Sequence, residues 1–93
     1  MSIDVTPQTG RPLTDRVAEE IRAVMARRRY SGARLAKELG VSAAWVSYRL
    51  TGAQPIDLND LERIAAALGV KIGDLLPRAD REATVTYLGD HVS

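Results

Sequence analysis

The chain has 93 residues, 45% of them apolar and 27% charged, with a net charge of +1. That length allows one domain burying about 60–65% of its unfolded surface, with no second core. Zero cysteines exclude a disulfide framework, a thiolate metal site and a thiol nucleophile; no apolar run approaches the roughly 18 residues of a membrane span, and the start MSIDVTPQTGRP lacks a signal-peptide layout, so a cytoplasmic location is expected.

Residues 1–13, with Pro7, Gly10 and Pro12, read as a loose N-terminal arm. Thr14 can N-cap a first helix that carries Asp15, Glu19 and Glu20 near its positive end. Val17, Ile21, Val24 and Met25 keep the spacing of one buried face, and the helix closes in Arg27-Arg28-Arg29. That run suits the negative end of the helix dipole, and it is equally compatible with a phosphate-facing role. Tyr30, just after it, reads as a core or boundary residue. Ser31 caps a short second helix with Leu35, Ala36 and Leu39 inward, and Gly40 ends it. Ser42 caps a third helix over Ala43 to Leu50, ended by Thr51-Gly52 with Pro55 in the following loop. Asp57 caps a fourth helix whose inner face is Leu58, Leu61, Ile64, Ala65 and Leu68, closed by Gly69. VKIGDLLP then predicts a fifth short helix with Ile72, Leu75 and Leu76 inward. In the tail over 77–93, residues 83–88 (Ala-Thr-Val-Thr-Tyr-Leu) read as a possible strand that would pair with a second copy, or as a flexible arm.

The net charge conceals an asymmetry. From Arg22 to Arg49 there are seven bases and one acid, whereas residues 1–21 carry two bases against four acids and residues 50–93 carry four against seven. A positive field concentrated on one segment points to a polyanionic partner.

Within that segment, two short helices flank a glycine turn at 32–50. Ala36 is small where two helices would cross, Gly40 can take a positive φ, and Val46 is an apolar anchor for the second helix: the requirements of a helix-turn-helix. On a helical wheel Val46 and Leu50 lie within about 40° of each other and define the inner side. Ala44 and Tyr48 lie opposite, flanked by Ser47 on one side and Trp45 on the other, with Ala43 at the exposed N-terminal end. Trp45 is the chain's only tryptophan, and there is no phenylalanine. Its placement with Tyr48 reads as surface for a partner; the competing reading for Trp45 is an indole folded back onto the second helix. The major groove of DNA admits one helix, whose N-terminal side chains meet base edges there. Ala43 and Ala44 would allow close approach, Ser47 and Tyr48 could hydrogen-bond, and Trp45 would lie along the sugar-phosphate wall. Arg49, at the edge of the inner side, could reach the DNA backbone or stay solvated.

RLAKELGVSAAWVSYRLTG and DLNDLERIAAALGVKIGDLL resemble the lambda-repressor-like (Cro-type or Xre-type) DNA-binding domains over about Ser31 to Leu76. The resemblance implies an all-α, five-helix domain over 14–76, a double-stranded DNA partner and no cofactor. It implies base-reading sites at Ala43, Ala44, Ser47 and Tyr48, and phosphate-contacting sites near Gly32, Trp45, Thr51 and Gln54. Arg28, Arg29, Arg34 and Arg49 join the phosphate set as neighbouring bases. Three positions depart from the family's habit: Gly32 replaces a frequent Gln, Leu50 a frequent Glu that salt-bridges the first helix, and Ala53 a frequent base.

No enzyme is legible. Five serines and one histidine, His91 in the tail, assemble no nucleophile–base–acid set. No phosphate-cradling glycine loop occurs, and Asp57, Asp60 and Glu62 suit the first turn of a helix without a metal. No membrane or small-molecule ligand is expected. Two function classes remain. One is a sequence-specific regulator of transcription, of the phage Cro or immunity-repressor kind or a small bacterial regulator, acting as a repressor and binding a palindromic operator as a homodimer. The other is a protein-interaction module, an antitoxin or adaptor, using the Trp45/Tyr48 face.

Overall fold

Helix ends in this chain are set by side chains that can be read one at a time. The computed structural model describes residues 11–77, which form α1 (Leu13–Arg28), α2 (Gly32–Leu39), α3 (Ala43–Thr51), α4 (Leu58–Leu68) and a 3-10 helix (Ile72–Leu75). The hydroxyls of Ser31 and Ser42 accept from the N–H groups of Arg34 and Trp45, each at 3.0 Å. Asp57 accepts from the N–H of Asp60 at 2.7 Å, and the Asp60 carboxylate accepts in return from the N–H of Asp57 at 3.4 Å. Each such cap contributes about 1 kcal/mol to helix stability. Gly40 ends α2 at φ 70°, where a side chain would be strained.

Thr14 does not cap α1. The helix starts two residues earlier, with Pro12 at the N-cap position and its carbonyl accepting from Asp15 and Arg16. The Thr14 hydroxyl instead accepts from the N–H of Ile56 at 2.7 Å, tying the loop before α4 to α1.

The four helices enclose one aliphatic core. Val17, Ile21, Val24 and Met25 of α1 meet Leu35 of α2, Val46 of α3, Leu61, Ile64 and Leu68 of α4, and Leu75. Tyr30 closes the core at its edge. α1 packs on α3, α2 on both α3 and α4, and the 3-10 helix on α1 and α4.

The expected fifth helix is a single 3-10 turn, so the described residues form four α-helices. The interval between Gly69 and Pro77 is short, and Pro77 disfavours helical backbone at Leu76, which is extended at ψ 147°. Leu75 is buried as expected, but Ile72 is 41% exposed. Leu58 is likewise corrected: it is 82% exposed despite lying on the inner side of the α4 wheel. It is the first residue of its helix and lines a pocket with Leu13, Ile56 and Leu76 that leaves it open to solvent. Among the described residues there is no strand, and 83–88 lies outside them. So do residues 1–10 of the expected arm and 78–93 of the expected tail. Among the described residues no helix is long and apolar enough to cross a membrane.

Three helix C-termini receive an arginine from a different helix. Arg22 of α1 donates to the Leu50 carbonyl of α3. Arg28 of α1 donates to the Leu68 carbonyl of α4 at 2.5 Å, and Arg63 of α4 to the Leu39 carbonyl of α2 at 3.0 Å. A guanidinium there meets both the unpaired carbonyls and the negative end of the helix dipole. Part of the positive charge read from the sequence therefore works inside the protein.

Candidate nucleic-acid interface

The α2–α3 pair has the geometry of a helix-turn-helix. Ala36 is buried at the crossing, Gly40 makes the turn, and Val46 is 3% exposed, anchoring α3 from beneath. A Cβ built on Gly32 would lie 3.8 Å from Val46 Cγ1, so the start of α2 passes close over that anchor. Because Val46 faces in, Ala43, Ala44, Ser47 and Tyr48 all face out, with Tyr48 51% exposed. The result is a short helix with two small residues at its N-terminus, two hydrogen-bonding side chains a turn later, and no acid.

The far end of α3 is tied down. The Thr51 hydroxyl donates to the Ser47 carbonyl at 2.8 Å, and the N–H of Gln54 donates to the Tyr48 carbonyl at 3.0 Å. Both side chains remain on the exposed loop side of the helix. Arg22 of α1 reaches the Leu50 carbonyl, so the polar link expected to be lost with Leu50 is made through the backbone instead.

Trp45 is partly buried and packs against the core cluster. It is a flank residue rather than a free surface aromatic, because two guanidinium groups cover it. That of Arg49 lies 4.1 Å from the ring centroid and that of Arg63 lies 5.7 Å away. Arg49 is turned toward α4: its Nε is 3.5 Å from Asp60 Oδ2, and its Nη1 donates to the Trp45 carbonyl at 3.4 Å. Arg28 is held at the Leu68 carbonyl, whereas Arg29 is exposed beyond it. Arg34, in the first turns of α2, is exposed and lies over the Tyr30 ring at 4.3 Å.

Arg63, Asp60 and Arg22 are the residues that reading along the chain did not connect to this surface. Asp60 was legible only as a first-turn acid of α4. The Asp57-x-x-Asp60 spacing signals the capping box, but nothing local signals that the same carboxylate meets Arg49 on another helix.

A model of the Cro/C1-type HTH DNA-binding domain matches residues 20–80. The chain belongs to this family. The match starts within α1 and runs through the helix-turn-helix, α4 and the 3-10 helix, and it makes this a DNA-binding domain of helix-turn-helix type. Among solved structures, this Cro/C1-type chain is similar to a hypothetical transcription factor, NHTF, from Neisseria. The two are 27% identical over 90% of this chain and 97% of that one, with a TM-score of 0.69. No curated protein matches the chain.

Proposed function

We propose that the chain is a sequence-specific regulator of transcription that inserts α3 into the major groove of double-stranded DNA. The observation that carries the reading is the outward quartet Ala43, Ala44, Ser47 and Tyr48 on a helix whose opposite side is locked by Val46. The family match and the likeness to a protein described as a transcription factor support it.

On this reading Ala43 and Ala44 admit the helix close to the base edges and pack on thymine methyl groups, while Ser47 and Tyr48 hydrogen-bond to bases. The backbone N–H groups at Gly32 meet one phosphate, and Trp45, Thr51 and Gln54 line the sugar-phosphate wall. Arg29 and Arg34 supply the mobile charge, whereas Arg28 and Arg49 act through the contacts they make inside the protein. One helix reads about 4–6 base pairs, so the regulator works as a homodimer on a palindromic operator. The absence of any acid on α3 and the small residues at its start fit occupation of a site, and we assign the outcome as repression.

Selection from a randomised duplex pool tests this directly. The expected result is enrichment of a two-fold symmetric sequence, with an affinity that drops steeply between low and moderate salt. Salt-insensitive capture of a protein, with no sequence enriched, would replace this reading with the interaction module. Light scattering on the chain cut after Arg81 tests the role of 83–88, since a dimer that persists unchanged removes that segment from the interface.

A further inference from the structure

We infer that Arg63, on α4 and outside the helix-turn-helix, is a positioning residue that sets the roll of α3 about its own axis and so aims the reading face. The inference rests on α3 being the helix that reads DNA.

α3 is nine residues long and has one buried anchor, Val46. Leu50, about 40° round from Val46, also packs against the core, and Arg22 holds its carbonyl. Attachments along one side of a short helix still let it roll; a contact about 100° away on the helix surface stops it. Trp45 is that contact: it packs against the core and is covered by Arg49 and by Arg63, and of these two Arg63 is the one that comes from another helix. Arg63 Nη2 donates to the Leu39 carbonyl at the end of α2. Its guanidinium also lies 5.7 Å from the Trp45 ring, and its Nη1 is 4.0 Å from Asp60 Oδ1. The other oxygen of that carboxylate holds Arg49, which covers the same ring at 4.1 Å. One acid of α4 therefore anchors two guanidinium groups on one indole, and one of them also grips the helix before the turn. Both halves of the helix-turn-helix are referenced to the first turns of α4.

The consequence for reading is geometric. A roll of about 20° carries a side-chain tip about 5–6 Å from the axis through about 2 Å. That displacement exceeds the tolerance of a hydrogen bond to a base edge. Contacts to phosphates, made by long flexible arginines and carrying no sequence information, tolerate it better. The side chain of Arg63 is 46% exposed, so it contributes little to the core itself. A planar guanidinium donates in its plane while stacking its face on a ring, a geometry that the compact ammonium of lysine does not reproduce, which makes lysine an informative replacement.

The test uses the full chain with Arg63→Lys, which keeps the charge, and Arg63→Met, which keeps the stem. Two probes are used: the duplex the wild-type chain selects from a randomised pool, and a random-sequence duplex. Both variants are expected to unfold cooperatively and to shift the Trp45 emission of the free protein. Affinity for the selected duplex falls about tenfold in each, the scale of one lost base contact. Affinity for random duplex changes less than about threefold, with an unchanged salt slope. The inference is overturned if Arg63→Lys binds the selected duplex as the wild type does. It is equally overturned if both duplexes weaken together and the slope drops by about 0.9, which marks a direct phosphate contact. If Arg63→Met does not fold, Arg63→Lys decides alone. A wild-type chain that enriches no sequence fails the underlying reading instead, and that failure is visible before any variant is made.

Discussion

The Asp60 carboxylate accepts the N–H of Asp57 at 3.4 Å and lies 3.5 Å from Arg49 Nε, so one side chain both caps α4 and holds α3. The pair is sheltered, with side chains 12% and 20% exposed, which removes most of the screening that weakens surface ion pairs.

Asp60→Ala is therefore expected to cost about 2 kcal/mol, combining a weakened cap with an arginine left in a half-buried setting without its acid. Arg49→Met removes the charge together with its partner interaction and keeps apolar cover over Trp45, so it costs less. Urea unfolding of the two variants measures the difference, and equal losses would mean that the cap contributes nothing beyond the pair.

How much of this was legible in the sequence depends on the range of each interaction. Ser31, Ser42 and Asp57 act on groups three residues away, and Gly40 acts on its own backbone, so the helix boundaries they set could be read locally. The faces of α1 and α4 followed from periodicity for the same reason. Leu58 and Ile72 did not, because a helical wheel states which way a residue points and says nothing of whether a neighbour stands opposite. Arg22, Arg28 and Arg63 were legible as charge but not as carbonyl partners 24 to 40 residues away. The flank position of Trp45 follows from the wheel, and Arg49 four residues on is a local cover, whereas the second cover comes from Arg63 on α4 and has no local signal.

Val46 and Tyr48 are two residues apart on α3 and face opposite ways, so their substitutions should separate folding from binding. Val46→Ala is expected to cost about 1–3 kcal/mol of stability, since the anchor is fully enclosed. Tyr48→Ala should leave stability within about 0.5 kcal/mol, because the ring is 51% exposed, and should weaken binding to a selected duplex by about 1–3 kcal/mol. Thermal unfolding and duplex titration on the same two proteins check both halves. A Tyr48→Ala protein that binds its selected duplex at full strength would take Tyr48 out of the reading face.

Arg29 ends α1 in the left-handed region at φ 54°, the single described non-glycine residue with positive φ. An L-residue there carries about 1–2 kcal/mol of strain that glycine avoids. Arg29→Gly should accordingly raise stability by up to about 1 kcal/mol, the gain being trimmed by glycine's greater freedom in the unfolded chain. A fall in the unfolding midpoint would show that the Arg29 side chain makes a stabilising contact.

The arginines near this end of the domain should sort by what they already hold. All three are exposed, but Arg28 donates to the Leu68 carbonyl on another helix, and Arg34 rests on the Tyr30 ring. A base that neutralises a phosphate on binding contributes about 0.9 to the slope of log affinity against log salt concentration. Arg29→Gln and Arg34→Gln are each expected to reduce the slope by about that amount, with little effect on the unfolding midpoint. Arg28→Gln should do the reverse, leaving the slope in place and costing about 1 kcal/mol of stability through the lost carbonyl contact. Titrations of random-sequence duplex at three salt concentrations, paired with unfolding curves, separate the two groups. A slope that falls equally for all three variants would mean that Arg28 leaves its carbonyl for a phosphate when DNA binds.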